Sequence, residues 1–191
     1  MRVTSLPGLP ELLLVQPPVF RDARGAFREL YLDSRYADAG IADRFVQDNL
    51  SLSHRHVLRG LHLQHPRGQG KLVTVLAGEV FDVAVDVRRG SPTFGLWAGV
   101  TLTADNAHQL WIPPGFAHGF LVLSDGALFG YKCTEPYSPP DELSIRWDDP
   151  EIGIEWPVPV PVLSDKDASA PLLSDIPAER LPAFDATTGA R

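Results

Sequence analysis

The stretch VLRGLHLQHPRGQGKLVTVLAGE, Val57 to Glu79, carries the clearest structural pattern in the chain. Apolar residues alternate with polar ones on both sides of a bend rich in Pro and Gly, and this pattern predicts two strands joined by a turn. A tight turn is expected at Gly78, where the second strand ends. Because side chains two apart in a strand share a face, His62 and Lys71 can both lie on the inner wall of one barrel or sandwich.

A second stretch, WIPPGFAHGF from Trp111 to Phe120, completes the pattern. Its P-x-G-x-x-H arrangement, Pro113 to His118, predicts a rigid turn followed by a His that enters a strand. Together the two stretches resemble the paired motifs of the cupin superfamily, whose members are jelly-roll barrels. We therefore expect an all-β fold, a cupin-type jelly-roll β-barrel with short peripheral helices, in a single domain over residues 1–191.

The first cupin motif lacks its usual metal ligands. His62 keeps the first His position, Gln64 takes the place of the second His, and Lys71 stands where a Glu would be. Divalent metals in such barrels bind imidazole and carboxylate donors, whereas an ammonium has no lone pair to give and repels a cation. The sequence therefore predicts no metal, and a fixed charge on Lys71 that can hold a developing oxyanion. His54 and His56 form another H-x-H pair, but no further ligand follows at suitable spacing, so we expect surface turn residues there.

The composition favours a single globular domain and excludes several functions. The 191 residues are 44% hydrophobic and 21% charged, and the 18 Pro and 16 Gly favour strands and turns over helices. The single cysteine, Cys133, excludes a disulfide within the chain and favours a reducing, cytoplasmic location. Leu12–Val15 is too short for a signal sequence or a membrane span, so no membrane association is expected. The net charge of −7 argues against a nucleic-acid partner.

Alternation of apolar and polar residues predicts several further strands. They are Phe45–Ser53, Val80–Val87, Leu96–Thr103, Gln109–Ile112, Gly119–Ser124 and Ala127–Thr134. Glu11–Val15 and Val19–Phe20 are expected to form a first strand pair. Short helices are expected over Asp33–Ala39 and from Ser164, a good N-cap residue.

The strand Val80–Val87 has one wholly apolar face and one that carries Asp82 and Asp86. Two like charges on one face usually mean that the face is wet or that Lys or Arg pairs with them, so we expect no catalytic role for these two residues. After Glu135 the alternation weakens and prolines become frequent, which predicts a chain that wraps over the outside of the barrel.

Many short motifs in one order resemble the dTDP-4-dehydrorhamnose 3,5-epimerase family. They include FxDxRG at Phe20–Gly25, FVQDN at Phe45–Asn49, VLRGLHxQ at Val57–Gln64, QLWIPxGFAHGF at Gln109–Phe120, YKCTxxYSP at Tyr131–Pro139, IGIEW at Ile152–Trp156 and SDKDASAPLL at Ser164–Leu173. The resemblance implies a homodimeric isomerase without metal or cofactor. Its substrate would be a dTDP-4-keto-6-deoxy-hexose, inverted at C3 and C5 on either side of the C4 ketone.

The resemblance also implies which residues carry the chemistry. His62 would be the base that removes the proton next to the ketone, because a free imidazole titrates near ~6.5. Lys71 would stabilise the enolate oxygen, and Tyr131 would return a proton to the opposite face. Asp167 would orient His62, although the sequence leaves open that it only caps a helix.

Nine further residues match substrate-binding positions of the family. They are Arg24, Phe27, Glu29, Gln47, Asn49, Arg59, His118, Tyr137 and Glu142. Guanidinium groups suit the diphosphate, and the resemblance implies that some of these residues, Phe27 and Glu29 among them, come from the partner subunit.

Two other functions stay open at this point. One is an epimerase of a single carbon of a related sugar in an antibiotic deoxysugar pathway, since the pose of the ring decides which carbon reacts. The other is a metal-dependent cupin or a non-catalytic binder of sugar nucleotides.

Overall fold

A computed structural model describes residues 1–185, in which strands dominate. The strands are β1 (Arg2–Leu6), β2 (Leu9–Gln16), β3 (Val19–Asp22), β4 (Gly25–Arg28), β5 (Gln47–His54), β6 (Leu58–Gln64), β7 (Lys71–Ala77), β8 (Glu79–Asp86), β9 (Trp97–Thr103), β10 (Gln109–Ile112), β11 (Phe116–Val122), β12 (Gly126–Cys133) and β13 (Glu142–Ser144). The helices are α1 (Asp33–Asp38), α2 (Asp165–Ala168) and three 3₁₀ turns, Pro139–Asp141, Leu173–Asp175 and Ala178–Arg180. Both predicted helices are thus confirmed. Within residues 1–185 no helix is long and apolar enough to cross a membrane.

Two antiparallel sheets face each other and form the barrel. The larger sheet has the strand order β1-β2-β10-β7-β12-β5, and the smaller one β13-β6-β11-β8-β9. Leu12, Val73 and Phe129 of the larger sheet pack against Ala84 and Phe120 of the smaller one, all almost fully buried. Burial of these side chains is the main favourable term that holds the sheets together. The expected all-β, cupin-type jelly roll is confirmed.

A second apolar layer covers the outer side of the smaller sheet. Val83 and Val85 of β8 pack there against Ile152, Leu173 and Ile176, which follow β13 in the chain. The proline-rich segment therefore wraps over the outside of the barrel, as predicted. This wrapping also carries α2 to the mouth of the barrel.

The polar face of β8 points into the barrel and is dry. Asp82 and Asp86 have no exposed surface. Asp86 pairs with Arg88 at 2.7 Å, as expected for a buried carboxylate, but Asp82 pairs with His118 instead. Of the two alternatives, the wet face is excluded and pairing with an arginine holds for Asp86 alone. The face is dry because the wrapping segment covers the apolar side of the strand and leaves the polar side inside the barrel.

The N-terminal strands pair differently from the prediction. β1, which has little alternation, pairs with β2 through a turn at Gly8, and Val19–Phe20 belongs to a separate hairpin of β3 and β4. Arg28 fastens this hairpin to the barrel, since its guanidinium donates to the carbonyls of Val75 (2.8 Å) and Ala104 (3.2 Å). The predicted pairing of β2 with β3 is therefore wrong.

A close approach of two glycines sets the positions of two histidines. Gly60 of β6 has φ +133°, and a Cβ there would lie 2.5 Å from the Cα of Gly119 in β11. Only glycine fits such an approach and such a φ. The register places His62 directly opposite His118 on the neighbouring strand. The two imidazoles thus lie side by side in the smaller sheet.

Candidate active site

A cavity of about 470 Å³ opens at one end of the barrel and is lined by strands of both sheets. Among its lining side chains are His62, Lys71, His118, Tyr131 and Asp167. A second cavity of about 280 Å³ adjoins it and shares His62, Lys71 and Tyr131. A cleft of this combined size, with few and convergent polar groups, is typical of a small-molecule site.

His62 and Asp167 form a close pair at the mouth of the cavity. Nε2 of the imidazole lies 2.6 Å from Oδ1 of Asp167, although the two residues are 105 positions apart in the chain. Burial alone would raise the pKa of Asp167, but the hydrogen bond and charge of His62, together with hydrogen bonds from Ser164 and the backbone of Gly60, outweigh burial and hold that pKa below its usual value. A carboxylate in this state fixes the proton on Nε2 and stabilises an imidazolium.

The cap of α2 is supplied by Ser164. Its hydroxyl oxygen accepts a hydrogen bond from the backbone N–H of Asp167 at 3.2 Å, which is the usual N-cap arrangement. The carboxylate of Asp167 is thereby left to contact His62. Of the two alternatives that the sequence left open, the geometry favours the orienting contact.

Lys71 reaches the cavity from β7 of the larger sheet and is almost fully buried. Its ammonium donates to the backbone carbonyl of His62 at 3.2 Å. Burial lowers the pKa of Lys71. The ammonium therefore lies in a poorly solvated position, where a positive charge acts strongly on a nearby oxyanion.

Tyr131 lies on β12 of the larger sheet, across the cavity from His62 on the smaller one. Burial raises the pKa of its phenol, so Tyr131 stays protonated well into the alkaline range. A protonated phenol on one wall and an imidazole on the other can act on opposite faces of one ring.

His118 lies deeper in the cavity than His62. Its Nε2 is 2.9 Å from Oδ2 of Asp82, and burial lowers the pKa of His118. Phe129 stacks on the imidazole with ring centroids 6.1 Å apart. Sequence reasoning did not select Asp82, because two acids on one strand face usually mean a wet face or pairing with Lys or Arg.

The second cavity carries the predicted polar residues of β5 and β13. The side-chain amide of Gln47 donates to Asn49 (2.9 Å) and accepts from the backbone N–H of Tyr137 (2.8 Å). The hydroxyl of Tyr137 donates to Glu142 at 3.0 Å. Hydrogen bonds thus hold an exposed aromatic ring at the edge of the site, where it can stack on a base.

Lys166 is a cavity residue that sequence reasoning missed. It lines the first cavity and pairs with Glu142 at 2.6 Å. Its place next to Asp167 in the SDKD motif was the available signal. Arg59 lines the same cavity and donates to Ser53 at 3.0 Å. The cavity therefore has three cationic side chains, Lys71, Lys166 and Arg59, in a protein of net charge −7.

The hairpin residues Arg24 and Phe27 do not line either cavity of their own chain. They border a separate cleft formed by the hairpin itself, and Arg24 pairs there with Asp22 at 2.6 Å. Glu29 follows the hairpin and pairs with Arg35 at 2.6 Å. Of the thirteen predicted site residues, these three are the ones that a single chain does not bring together with the rest.

The cupin metal frame is filled by groups that do not fit a divalent cation. Residues 1–185 contain no group of three His, Cys, Asp or Glu side chains able to hold one. Gln64 uses its amide to hold the loop that follows β12, accepting from the N–H of Ser138 (2.8 Å) and donating to the carbonyl of Pro136 (3.3 Å). Lys71 presents an ammonium at the third position.

Comparison with known proteins identifies relatives over most of the chain. Residues 7–175 match the family model described as dTDP-4-dehydrorhamnose 3,5-epimerase. A protein of that name from Salmonella typhimurium is 54% identical over 91% of this chain and 96% of its own length. One from Neisseria gonorrhoeae is 58% identical over 84% of this chain, which spans only 49% of that relative's length.

A solved structure agrees with these matches. The crystal structure of dTDP-6-deoxy-D-glucose-3,5-epimerase from Legionella pneumophila, in complex with dTDP-4-keto-L-rhamnose, superposes with a TM-score of 0.94. It is 53% identical and covers 97% of this chain and 99% of its own. On the family match, the identity and the shared fold, the chain belongs to the dTDP-4-dehydrorhamnose 3,5-epimerase family.

Proposed function

We propose that the protein is an isomerase that inverts C3 and C5 of a dTDP-4-keto-6-deoxy-hexose. The observation that carries this proposal is the placement of His62 and Tyr131 on opposite sheets, with the Lys71 ammonium beside them. Inversion at a carbon next to a ketone requires a base on one face of the ring and an acid on the other. Family membership supports the substrate class.

In the first step His62 takes the proton from the carbon next to the ketone. The electron pair of the broken C–H bond moves into the ring, and the C4 oxygen becomes an enolate. The Asp167 carboxylate stabilises the imidazolium that forms, and Lys71 stabilises the enolate oxygen. Neither the removal of the proton nor the stabilisation of the enolate needs a metal or a redox cofactor.

In the second step Tyr131 donates its phenolic proton to the same carbon from the opposite face. The enolate collapses to the ketone, and the phenolate regains a proton through solvent as the imidazolium of His62 releases one. Because burial raises the pKa of Tyr131, its phenolate is a strong enough base to regain that proton at neutral pH. The same two groups can then act on the second carbon.

The nucleotide half of the substrate would extend from the first cavity, which Arg59 and Lys166 line, into the second cavity and its rim. Arg59 and Lys166 supply charge for the diphosphate, and a guanidinium can bind two phosphate oxygens at once. Tyr137 offers its ring to the base, with Gln47 and Asn49 as hydrogen-bonding partners beside it. His118 would contact the sugar from inside the barrel.

We further propose that the chain acts as one domain in a homodimer, in which the β3–β4 hairpin reaches the partner's cavity. Phe20 and Phe27 of this hairpin are 62% and 68% exposed. Large aromatic side chains on a protruding hairpin indicate an interaction surface. Arg24 and Glu29 would then complete the partner's nucleotide site. The absence of a nucleic-acid partner and the cytoplasmic location stay predictions from net charge and cysteine content.

Incubation with the substrate in D₂O tests the main proposal. We expect NMR and mass spectra to show deuterium at both C3 and C5 of the product. Deuterium at one carbon alone would instead support a single-carbon epimerase, and no deuterium at all would leave only a non-catalytic binder or another chemistry. Activity that disappears on chelation and returns with a divalent metal would contradict the role given to Lys71.

A further inference from the structure

The mechanism above does not use Asp82, although this carboxylate lies just behind the site. Asp82 is fully buried on the inner face of β8 and lines neither cavity. Its Oδ2 contacts Nε2 of His118 at 2.9 Å, whereas Oδ1 has no hydrogen-bond partner among the described residues. A buried carboxylate with only one of its two oxygens hydrogen-bonded lowers the stability of the protein. The presence of such a group therefore suggests that it has a function.

The charged groups around Asp82 belong to the catalytic cavity. His118 on β11 contacts it directly, and Lys71 on β7 of the facing sheet interacts with it electrostatically. The other titratable groups that act on Lys71 or His118 are His62 on β6, Cys133 on β12 and Glu142 on β13.

Within residues 1–185, Lys71 has no carboxylate within salt-bridge distance, and its ammonium donates to a neutral carbonyl. An ammonium so deeply buried tends to lose its proton unless a negative charge lies near it. Cys133 does not supply that charge, because burial raises the pKa of its thiol. Glu142 is already paired with Lys166. Asp82 is the remaining acidic group of the cluster.

We propose that Asp82 is a positioning residue: its carboxylate is the counter-ion that keeps the Lys71 ammonium charged inside the barrel. The same carboxylate accepts the hydrogen bond from His118 and so holds the His118 proton on Nε2. The kinetic consequence rests on the proposed epimerase function, but the charge state of Lys71 does not.

Titration of Lys71 tests the proposal without any catalytic assay. The chain has three lysines, Lys71, Lys132 and Lys166, so protein labelled with ¹³C at lysine Cε gives a simple NMR spectrum. In Asp82→Asn we expect the Lys71 titration midpoint to fall by about one pH unit or more. The Lys132 signal should stay in place as an internal control. An unmoved Lys71 midpoint would overturn the proposal, because it would mean that Asp82 is already neutral or too far away.

The kinetic test is a double-mutant cycle between Asp82→Asn and Lys71→Met. Asp82→Asn alone should lower kcat about tenfold or more at pH 8, leave KM within about twofold, and move the alkaline limb of the kcat profile to lower pH. Added to Lys71→Met, it should cost no further activity. Additive losses with an unmoved alkaline limb would overturn the proposal. If Asp82→Asn does not fold, the double variant should fold, and its failure to do so would overturn the proposal as well.

Discussion

Two histidine–carboxylate pairs lie side by side in the smaller sheet, yet the two differ in chemistry. His62 and His118 are direct neighbours across β6 and β11, and each contacts one carboxylate at 2.6 and 2.9 Å. The side chain of His62 is 27% exposed, whereas that of His118 is 8% exposed. The difference lies in where each carboxylate comes from.

Asp167 arrives from outside the barrel on α2, and Asp82 comes from within it on β8. Hydrogen bonds hold the pKa of Asp167 low in spite of its burial, whereas burial raises the pKa of Asp82. The outer pair is therefore ready to accept a proton as an ion pair, while the inner imidazole has its pKa lowered by burial and stays neutral. Two similar contacts, at 2.6 and 2.9 Å, thus give a base in one place and a fixed hydrogen-bonding group in the other.

The largest effect is expected for His62→Ala, which removes the proposed base. The rate should fall about 10³- to 10⁴-fold, within the range of general-base catalysis, and deuterium exchange at both carbons should disappear. His118→Ala should cost less and raise KM more than it lowers kcat. NMR of the product in D₂O measures both, with the exposed His54→Ala as the matched control. Exchange that survives in His62→Ala would place the base elsewhere, and the inner His118 would become the candidate.

Lys71→Met should lower kcat about 10²- to 10³-fold, because the enolate oxygen loses its positive charge. The variant should also be less stable than the parent protein by about 3–5 kcal/mol, since removal of the ammonium leaves the buried Asp82 carboxylate without its counter-ion. Thermal unfolding and kinetics measure the two changes, and Lys132→Met, which removes a surface ion pair with Asp48, is the control. Unchanged stability together with normal activity would contradict the assignment.

Asp167→Asn should lower kcat about 10²-fold, because the amide neither fixes the imidazole nor stabilises its charge. A carboxyl whose folded-state pKa is depressed stabilises the protein above its unfolded pKa near ~3.9, and this stabilisation is lost as the pH falls through the folded value. Asp167→Asn should therefore be less stable at pH 7 by ~1.5–3 kcal/mol and equally stable in acid. Asp165→Asn, on the exposed side of the same helix, should change neither quantity. A stability difference that persists below pH 3 would show that the loss is not electrostatic.

The alternation of side chains along the strands predicted much of this arrangement but did not predict which face of β8 lies inside the barrel. β10 was predicted over the residues it occupies, and alternation allowed His62 and Lys71 to lie together on the inner wall of a barrel. Alternation assigns two faces to a strand but does not say which one is inside. On β8 the charges left open whether the Asp82 face was wet or paired with Lys or Arg, because no local feature of the strand shows that residues after β13 cover its other face.

The spacing of residues along the chain also could not predict contacts between residues that are far apart in the sequence. Asp167 meets His62 only because the wrapping segment returns to the barrel mouth, and the family resemblance, not the sequence pattern, pointed to it. The hairpin residues Arg24 and Phe27 were assigned in the same way. Within one chain these residues lie away from the cavity, because β3 pairs with β4 in a separate hairpin. The sequence analysis predicted that β2 pairs with β3, and so did not predict this separation.

Tyr131→Phe should separate proton loss from inversion. His62 can still remove the proton, so exchange with solvent should fall less than about threefold, while formation of the inverted product falls about tenfold or more. Parallel measurement of deuterium wash-in and product gives the ratio directly. Burial raises the pKa of Tyr131, and we assign the alkaline limb of the kcat profile to Lys71, so this limb should stay in place. Normal turnover in Tyr131→Phe would mean that the returning proton comes from another group.

The smallest signal is expected from mixing two inactive variants. This experiment tests whether the hairpin of a second chain completes the cavity that holds the His62–Asp167 pair. Arg24→Ala damages the hairpin and His62→Ala damages the cavity, and neither variant should turn over alone. If the hairpin serves the partner's cavity, a mixed dimer has one site with both parts intact, so refolding an equal mixture should recover about a quarter of the parent activity. A mixture of His62→Ala with Lys71→Met should recover none, because both changes lie in the cavity and every mixed dimer keeps two damaged cavities. If neither mixture recovers activity, Arg24 does not contribute to the partner's site. The cavity would then be formed by the residues of its own chain alone.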